Sequence, residues 1–296
     1  DTSGGMKTPL NKTGKTNLLS TVTNPLGGTI TIDYKRSENT RENPNSKYLM
    51  SNVKVADNNN HIYEYKYDYA NGKYDRGERE FYGFSKVTET QPDGSTVIKE
   101  YSNAEKEDEE TGDIIEYNAA SYYRKGLETK TTVNDKNGDI YTVTEKFYTD
   151  RETGTPRSYF VQLDAVRTDY YEGCGSAQIT SAQNYIYDSY GNVLKFNDYG
   201  DTLTSADDVT ADIVYEYRND TYLMALPVRI TVTSDGALLR QRTGTYDTKG
   251  NLRTVTQVSG NDASTTTMDY DEYGNIILVT YTPNERSKCY SLRYTY

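Results

Sequence analysis

The sequence predicts an all-β protein built as an antiparallel meander of hairpins. Three observations carry that expectation: residue character alternates with period two along most of the chain, tight-turn dipeptides separate the alternating runs, and the apolar content is too aromatic for a helical core. Of the 34% of residues that are hydrophobic, aromatic ones account for 12%, which leaves aliphatic residues at only about 22% of 296 positions. The aromatic set is itself lopsided, with 31 Tyr against 5 Phe and no Trp. Burial must therefore use tyrosine rings whose hydroxyls still need partners.

Each element follows from local pattern. Asn24-Pro25-Leu26-Gly27-Gly28 is a turn between a strand at Leu18 to Thr23 and one at Thr29 to Tyr34. In His61-Ile62-Tyr63-Glu64-Tyr65-Lys66-Tyr67-Asp68-Tyr69, four rings alternate with Glu, Lys and Asp, which predicts a strand with its rings buried on one face. Pro92-Asp93-Gly94 joins Phe84 to Thr90 with Thr96 to Tyr101, and Asn137-Gly138 and Asp235-Gly236 mark later hairpins. Ile213 to Arg218, Val228 to Thr233 and Tyr290 to Tyr296 alternate in the same way. The one stretch with a trace of helical character, Asn103 to Gly112, is polar all round and reads as an exposed loop or short turn. Connections of two to six residues force antiparallel pairing, because a parallel crossover needs a dozen or more.

Composition excludes other classes. Disordered acidic chains lack aromatic and β-branched residues, whereas this one is rich in Tyr, Thr, Val and Ile. No apolar run approaches the ~20 residues of a membrane span, and the first 17 residues have no apolar core of the signal-peptide kind. With 44 acidic and 33 basic side chains the formal charge is -11, and the longest charge block, Glu105 to Glu110, is acidic; nucleic acid is not an expected partner. The chain begins at Asp1, without an initiator Met, and is read as a processed or excised piece of a longer polypeptide.

An internal repeat sharpens the architecture. Tyr187-Asp188-Ser189-Tyr190-Gly191-Asn192-Val193, Tyr246-Asp247-Thr248-Lys249-Gly250-Asn251-Leu252 and Tyr270-Asp271-Glu272-Tyr273-Gly274-Asn275-Ile276 share the pattern Y-D-x-x-G-N-apolar. Asp opens a type I turn by accepting from backbone amides, and Gly supplies the left-handed residue that closes it with a bulge. Degenerate copies are expected at Ser234 to Leu238 and at Asn134 to Ile140. The residues assigned to structural repeat turns are Tyr187, Asp188, Gly191, Asn192, Tyr246, Asp247, Gly250, Asn251, Tyr270, Asp271, Gly274 and Asn275.

This pattern resembles the YD or RHS repeat of bacterial RHS proteins, of the B and C components of insecticidal toxin complexes, and of teneurins. Three further stretches resemble the toxin-complex branch: Thr23-Asn24-Pro25-Leu26-Gly27-Gly28-Thr29, Arg79-Glu80-Phe81-Tyr82-Gly83-Phe84, and the acidic run Asp198-Tyr199-Gly200-Asp201 with Asp207-Asp208-Val209, followed by Leu226-Pro227-Val228. The resemblance spans residue 18 to the end. It implies a curved or spiralling sheet that forms the wall of a hollow shell around a toxic segment, in a secreted or cell-surface bacterial protein. The family's D-P-x-G-rich C-terminal core, with the aspartates credited with self-proteolysis, has no counterpart here.

Candidate chemistry is sparse. His61 is the single histidine, so any Ser-His-Asp, Cys-His or His-metal site would rest on one loop-edge residue. Cys174 lies between glycines as some nucleophiles do, but nothing supports it as one. Cys174 and Cys289 are read as free thiols, with a single disulfide as the alternative. Asp198, Asp201, Asp207, Asp208 and Asp212 could converge on calcium, but a solvated acidic loop is preferred. Arg76, Glu78, Arg79 and Glu80 are expected to form cross-strand ion pairs, with a bulge at Gly83. No cofactor, metal or catalytic residue is assigned.

The organisation expected is a flexible segment over 1–17, a β-rich region with worn repeats over 18–180, and a YD-repeat region over 181–296. The function expected is that of a non-enzymatic scaffold or encapsulating wall, partnered by other RHS or YD segments and a toxin cargo. The alternative is an adhesive or carbohydrate-binding β module that stacks glycans on Tyr63, Tyr65 and Tyr67; the absence of Trp argues against it.

Overall fold

The computed structural model describes residues 17–102, 106–107, 114–116, 119–260, 262–283 and 289–296. The expected flexible segment 1–17 lies outside the described residues apart from Asn17, and of the expected exposed loop 103–112 only Lys106 and Glu107 are described, where they form a short strand. Among the described residues the chain is nearly all β, as expected, with one short helix, α1 (Ala119–Arg124). It divides into two compact units, Asp1–Ile140 and Tyr141–Tyr296. The sequence-based division near residue 180 uses another criterion, the point where the repeats become strict.

In the first unit, β1 (Thr21–Thr23), β2 (Thr29–Arg36), β3 (Tyr48–Ala56), β4 (Ile62–Asp75), β5 (Glu80–Thr90) and β6 (Thr96–Ser102) pair each with the next, all antiparallel. Two short strands, β7 (Lys106–Glu107) and β8 (Ile114–Glu116), pair with each other, and the meander resumes as β9 (Leu127–Asn134) on β6. The second unit continues the same rule through β10 (Ile140–Glu152), β11 (Tyr159–Tyr170), β12 (Ile179–Tyr187), β13 (Val193–Asp201), β14 (Val209–Arg218), β15 (Leu223–Ser234), β16 (Ala237–Tyr246), β17 (Leu252–Ser259), β18 (Asp262–Tyr270), β19 (Ile276–Thr282) and β20 (Tyr290–Arg293). Every sequential pair from β10 to β20 is antiparallel. Short connections leave no other choice.

The expectation of a strand with its rings buried is corrected in degree. On β4, Tyr65, Tyr67 and Tyr69 are half-buried and alternate with exposed Lys66 and Asp68, but Tyr63 is 46% exposed and Glu64 is half-buried, held by the Asn52 amide at 2.8 Å. Among the described residues only Val143, Leu226 and Val232 are apolar and buried, and no side chain falls below 2% exposure. A sheet side chain screened only by its neighbours in the ladder loses about half its contact with water; a packed second layer would be needed to remove the rest. The last strand is likewise shorter and barer than Tyr290 to Tyr296 suggested, since β20 stops at Arg293 with all four residues exposed.

Stability therefore comes from the ladder and from polar cross-links. In the second unit, threonines line up across four strands in two rows, Thr245↔Thr254↔Thr267↔Thr280 and Thr243↔Thr256↔Thr265↔Thr282. Their hydroxyls bond one another, Thr245 to Thr254 at 2.7 Å and Thr256 to Thr265 at 2.9 Å. Such pairs are worth roughly 0.2–1 kcal/mol each. Asp169, the one buried acid among the described residues, is satisfied by Arg167 at 3.0 Å and the Thr180 hydroxyl at 2.5 Å.

Candidate functional site: a clasped hairpin repeat

The repeat residues converge on one local design. The backbone N–H of Asp188 donates to Asn192 O at 2.9 Å, while Gly191 N donates back to Asp188 O at 3.4 Å. The carboxylate closes the loop: Oδ1 accepts from the N–H groups of Tyr190 and Asn192, both at 2.8 Å, and Oδ2 accepts from the Asn192 amide at 2.8 Å. Asp247 and Asp271 repeat this with Lys249, Asn251, Tyr273 and Asn275 at 2.8–2.9 Å. Gly191, Gly250 and Gly274 hold φ of 92°, 88° and 89°, where a Cβ is costly. This is a type I turn closed by a left-handed residue, the usual three-residue hairpin loop.

The same backbone turn recurs without the full motif. Asn24, Gln91 and Asp135 stand where Asp188 stands, with Gly27, Gly94 and Gly138 in the left-handed place at φ 87°, 91° and 92°. At Asp135 the amide that reaches Oδ2 belongs to Asn137, two residues on instead of four. The expected copy at Ser234 to Leu238 is a different turn: Ser234 pairs directly with Ala237, and Asp235 and Gly236 are both left-handed at φ 47° and 71°. Two residues are too few for the Asp-centred loop, so a tighter primed turn takes its place.

His61 proves to be a member of this set. It occupies the position of the repeat Asn, and its Nδ1 lies 2.7 Å from Asp57 Oδ2, while Asp57 Oδ1 accepts from the N–H groups of Asn59 and His61. Asp57 is held at a pKa of about 2, first by the His61 ring and then by the Asn59 N–H. Asn58 and Asn60 are left-handed at φ 65° and 68°, so this is a variant of the loop.

The tyrosines supply what the motif alone does not explain. Tyr187 OH donates to Leu163 O at 2.8 Å, Tyr246 OH to Pro227 O at 3.1 Å and Tyr270 OH to Leu252 O at 2.8 Å. Two tyrosines outside the motif do the same, Tyr215 to Val193 O at 3.1 Å and Tyr296 to Ile276 O at 3.2 Å. Val193, Leu252 and Ile276 are the apolar residues that follow the three repeat asparagines. At each exit the register slips, passing over Leu194, Arg253 and Ile277. A bulge disrupts the ladder locally, and a hydroxyl from a later strand takes the adjacent carbonyl. Each hairpin is thus clasped by a tyrosine 18 to 22 residues further along. Burial raises the pKa of Tyr187, Tyr215, Tyr246 and Tyr270.

Cations complete the clasp. Arg151 donates to Asp188 O at 2.6 Å, Arg218 to Asp247 O, and Lys249 to Glu272 O at 2.9 Å, so each repeat turn is tied to another element. Tyr217 OH donates to Asp188 Oδ2 at 2.7 Å, and this bond lifts the Tyr217 pKa to about 12. Partial burial works against the Asp188 carboxylate, but the Asn192 amide, the Tyr217 hydroxyl and two backbone N–H groups outweigh it and hold the pKa low. Arg151 and Arg218 were not legible beforehand, because an arginine that reaches a backbone carbonyl leaves no sequence pattern.

The other candidates do not assemble. Cys174 and Cys289 are both free and exposed. Asp207 caps the Asp201 N–H at 2.9 Å, Asp198 accepts from Gly200 N at 3.1 Å, and Asp212 pairs with Lys195 at 3.0 Å, so these carboxylates serve separate partners. Among the described residues no three His, Cys, Asp or Glu side chains could hold a metal ion. The expected cross-strand ion pairs at Arg76 to Glu80 are corrected: residues 76–79 form a turn, Arg76 donates to Arg41 O at 3.0 Å, and among the described residues only Glu80 of this run makes an ion pair, with Lys125. Among the described residues no helix is long and apolar enough to cross a membrane.

An antiparallel meander whose hairpins reuse a Y-D-x-x-G-N turn is a repeat sheet of the kind that the YD/RHS resemblance implies. Comparison with known proteins shows what the chain is similar to. Residues 2–108 match the family model described as the insecticide toxin TcdB middle/N-terminal region. The fold is similar to that of a Tc holotoxin pore from Photorhabdus luminescens, at 13% identity and a TM-score of 0.61 over 89% of this chain and 22% of that one. It is also similar to TcdB2-TccC3 without its hypervariable C-terminal region, at 15% identity and 0.55 over 82% and 18%, and to TcdB2-TccC3-TEV, at 12% and 0.57 over 86% and 22%. No curated protein matches the chain in sequence. The chain spans about a fifth of the solved chains it resembles.

Proposed function

We propose that the chain is a non-enzymatic structural segment of a YD/RHS-repeat protein, a scaffold or encapsulating wall for a toxin or effector cargo in a secreted or surface-exposed bacterial assembly. The observation that carries this reading is the tyrosine clasp. A wall must hold as a single layer without a deep core, and hydroxyl-to-carbonyl bonds from each hairpin to an earlier one do that where burial cannot. The twelve motif residues are assigned the role of turn formers, with 18–180 as a shell region of worn repeats and 181–296 as the YD-repeat region. The uncharged threonine rows suit a surface that must neither bind nor fold an enclosed chain. Its partners in this reading are further YD/RHS segments of the same polypeptide or assembly, and the cargo they enclose.

The test is protease protection in the native polypeptide that carries this segment, expressed with a C-terminal cargo. Cargo should resist digestion in the wild type and become cleavable when Tyr187, Tyr246 and Tyr270 are changed together to Phe. Cargo equally sensitive in both would refute the wall reading.

A further inference from the structure

We infer that a cleft in the first unit, formed by the segment 37–47 and strands β2, β4 and β5, is a binding site for a small organic cation of the alkylammonium class. The segment is pinned at its base, where Ser37 N donates to Lys47 O at 2.8 Å and Ser46 Oγ to Ser37 O at 2.7 Å. Within it, Asn43 N donates to Thr40 Oγ1 at 3.0 Å and Thr40 N to Asn43 O at 3.2 Å. Its tip lies on β4: Tyr74 N donates to Glu42 O at 2.7 Å. Asn43 is only 4% exposed, seated against Gly72. A Cβ at Gly72 would stand 2.7 Å from Asn43 Nδ2 and 2.9 Å from the Phe84 ring, so the seat exists because that residue is glycine.

The cleft so formed has a volume of about 810 Å³, within the roughly 300–1,000 Å³ of small-molecule sites. That is room for an organic molecule and far more than a bare ion needs, and among the described residues no three His, Cys, Asp or Glu side chains could hold a metal ion. Tyr69 and Phe84, with ring centroids 5.1 Å apart, give it an aromatic side on which a methylene stem can pack. Asn43 lines it too. Its Nδ2 is used, donating to Glu38 O at 3.4 Å, while its Oδ1 is enclosed with no hydrogen-bond partner. An enclosed acceptor without a donor is a standing cost, and a ligand N–H removes it.

Unpaired charge decides the class. Each cation that lines the cleft has a partner: Lys35 pairs with Asp68 at 2.5 Å, Arg36 stacks on Tyr48 at 4.8 Å and donates to its hydroxyl at 3.2 Å, and Lys73 is engaged as well. Of the three carboxylates, Glu38 and Glu42 make no ion pair among the described residues. An incoming anion finds the donors taken and meets two carboxylates, whereas an incoming cation meets two free carboxylates and one free amide oxygen. All three of those groups accept hydrogen bonds, so the cation that matches them carries N–H donors, and an ammonium has three. A quaternary ammonium or an uncharged ligand leaves part of the set unmatched. The inference does not depend on the wall reading.

The test is saturation-transfer NMR on the full chain with butylamine, cadaverine and spermidine, each at ~10 mM, enough to detect a Kd of ~1 mM. At least one amine should receive transfer at its methylene protons, and that transfer should weaken as sodium chloride rises from ~20 to ~200 mM. Glu38→Gln and Glu42→Gln should each lower affinity about threefold and together about tenfold, the scale of exposed charge contacts. Glu272→Gln, which removes the same charge outside the cleft, should leave affinity unchanged. No transfer to any of the three amines would overturn the inference. So would equal transfer to tetramethylammonium, which has the charge without N–H donors, or an equal loss in Glu272→Gln. Complete suppression of the transfer by ~1 mM calcium chloride would mark a metal site and overturn it too.

Discussion

Changing Tyr187, Tyr246 and Tyr270 to Phe isolates the clasp, because each substitution deletes one oxygen and keeps the ring. The hydroxyls donate to Leu163 O, Pro227 O and Leu252 O at 2.8, 3.1 and 2.8 Å. A typical hydrogen bond contributes about 0.5–1.5 kcal/mol net, so each single variant should lose about 1 kcal/mol. The three bonds share no partner, so the losses should add to about 3 kcal/mol in the triple variant. At roughly 2–4 °C per kcal/mol for a unit of this size, the melting temperature should fall by roughly 6–12 °C. Circular dichroism during heating and in urea measures both quantities. Tyr222→Phe and Tyr273→Phe are controls, with rings 87% and 83% exposed, and should change stability by less than about 0.5 kcal/mol. A triple variant as stable as the controls would refute the claim that hydroxyl clasps hold the sheet.

Alanine at the repeat glycines should follow the local crowding: all three pay for a left-handed backbone, roughly 1–2 kcal/mol, but Gly250→Ala and Gly191→Ala also press on Leu223 at 2.8 Å and Phe160 at 3.1 Å, whereas Gly274→Ala meets only Asn251 at 3.8 Å. Urea midpoints should therefore rank Gly274→Ala as the mildest. Asp57 has its pKa depressed in the fold, so its contribution is complete above the unfolded value near 3.8 and is lost as pH falls toward about 2; carboxyl NMR should find this pKa near 2 in the wild type and higher in His61→Ala, though still below 3.8 because the backbone N–H donors remain. Tyr217 has its pKa raised, so its bond to Asp188 is complete below pH 10 and is lost as pH rises from about 10 to about 12; in Asp188→Asn, tyrosinate absorbance should show this group titrating below its wild-type value of about 12. Arg218→Met should speed hydrogen exchange at Gly250 and Asn251 measurably, because it removes the charged hydrogen bond to Asp247 O.

Alternation and turn chemistry made the meander and the three repeat turns legible, because both are written in residues adjacent along the chain. What could not be read are the bonds that tie one hairpin to another. Tyr215, Arg151 and Arg218 reach backbone carbonyls 22 to 37 residues away, and a carbonyl has no residue identity to leave a mark. His61, expected to be a loop-edge residue without a role, was missed for a related reason: beside Asp57 its imidazole does the work of an asparagine amide. The depth of burial was also overestimated. A run such as Tyr63-Glu64-Tyr65-Lys66-Tyr67 reports that two faces differ, not whether anything is packed on the apolar one.

The wall reading is tested most directly by electron cryomicroscopy of the native polypeptide carrying this segment together with its cargo. The account predicts a closed cavity with cargo density inside it and the β10 to β20 sheet presenting one face to that cavity. A map in which both faces of this sheet meet bulk solvent, with no enclosed density, would contradict it.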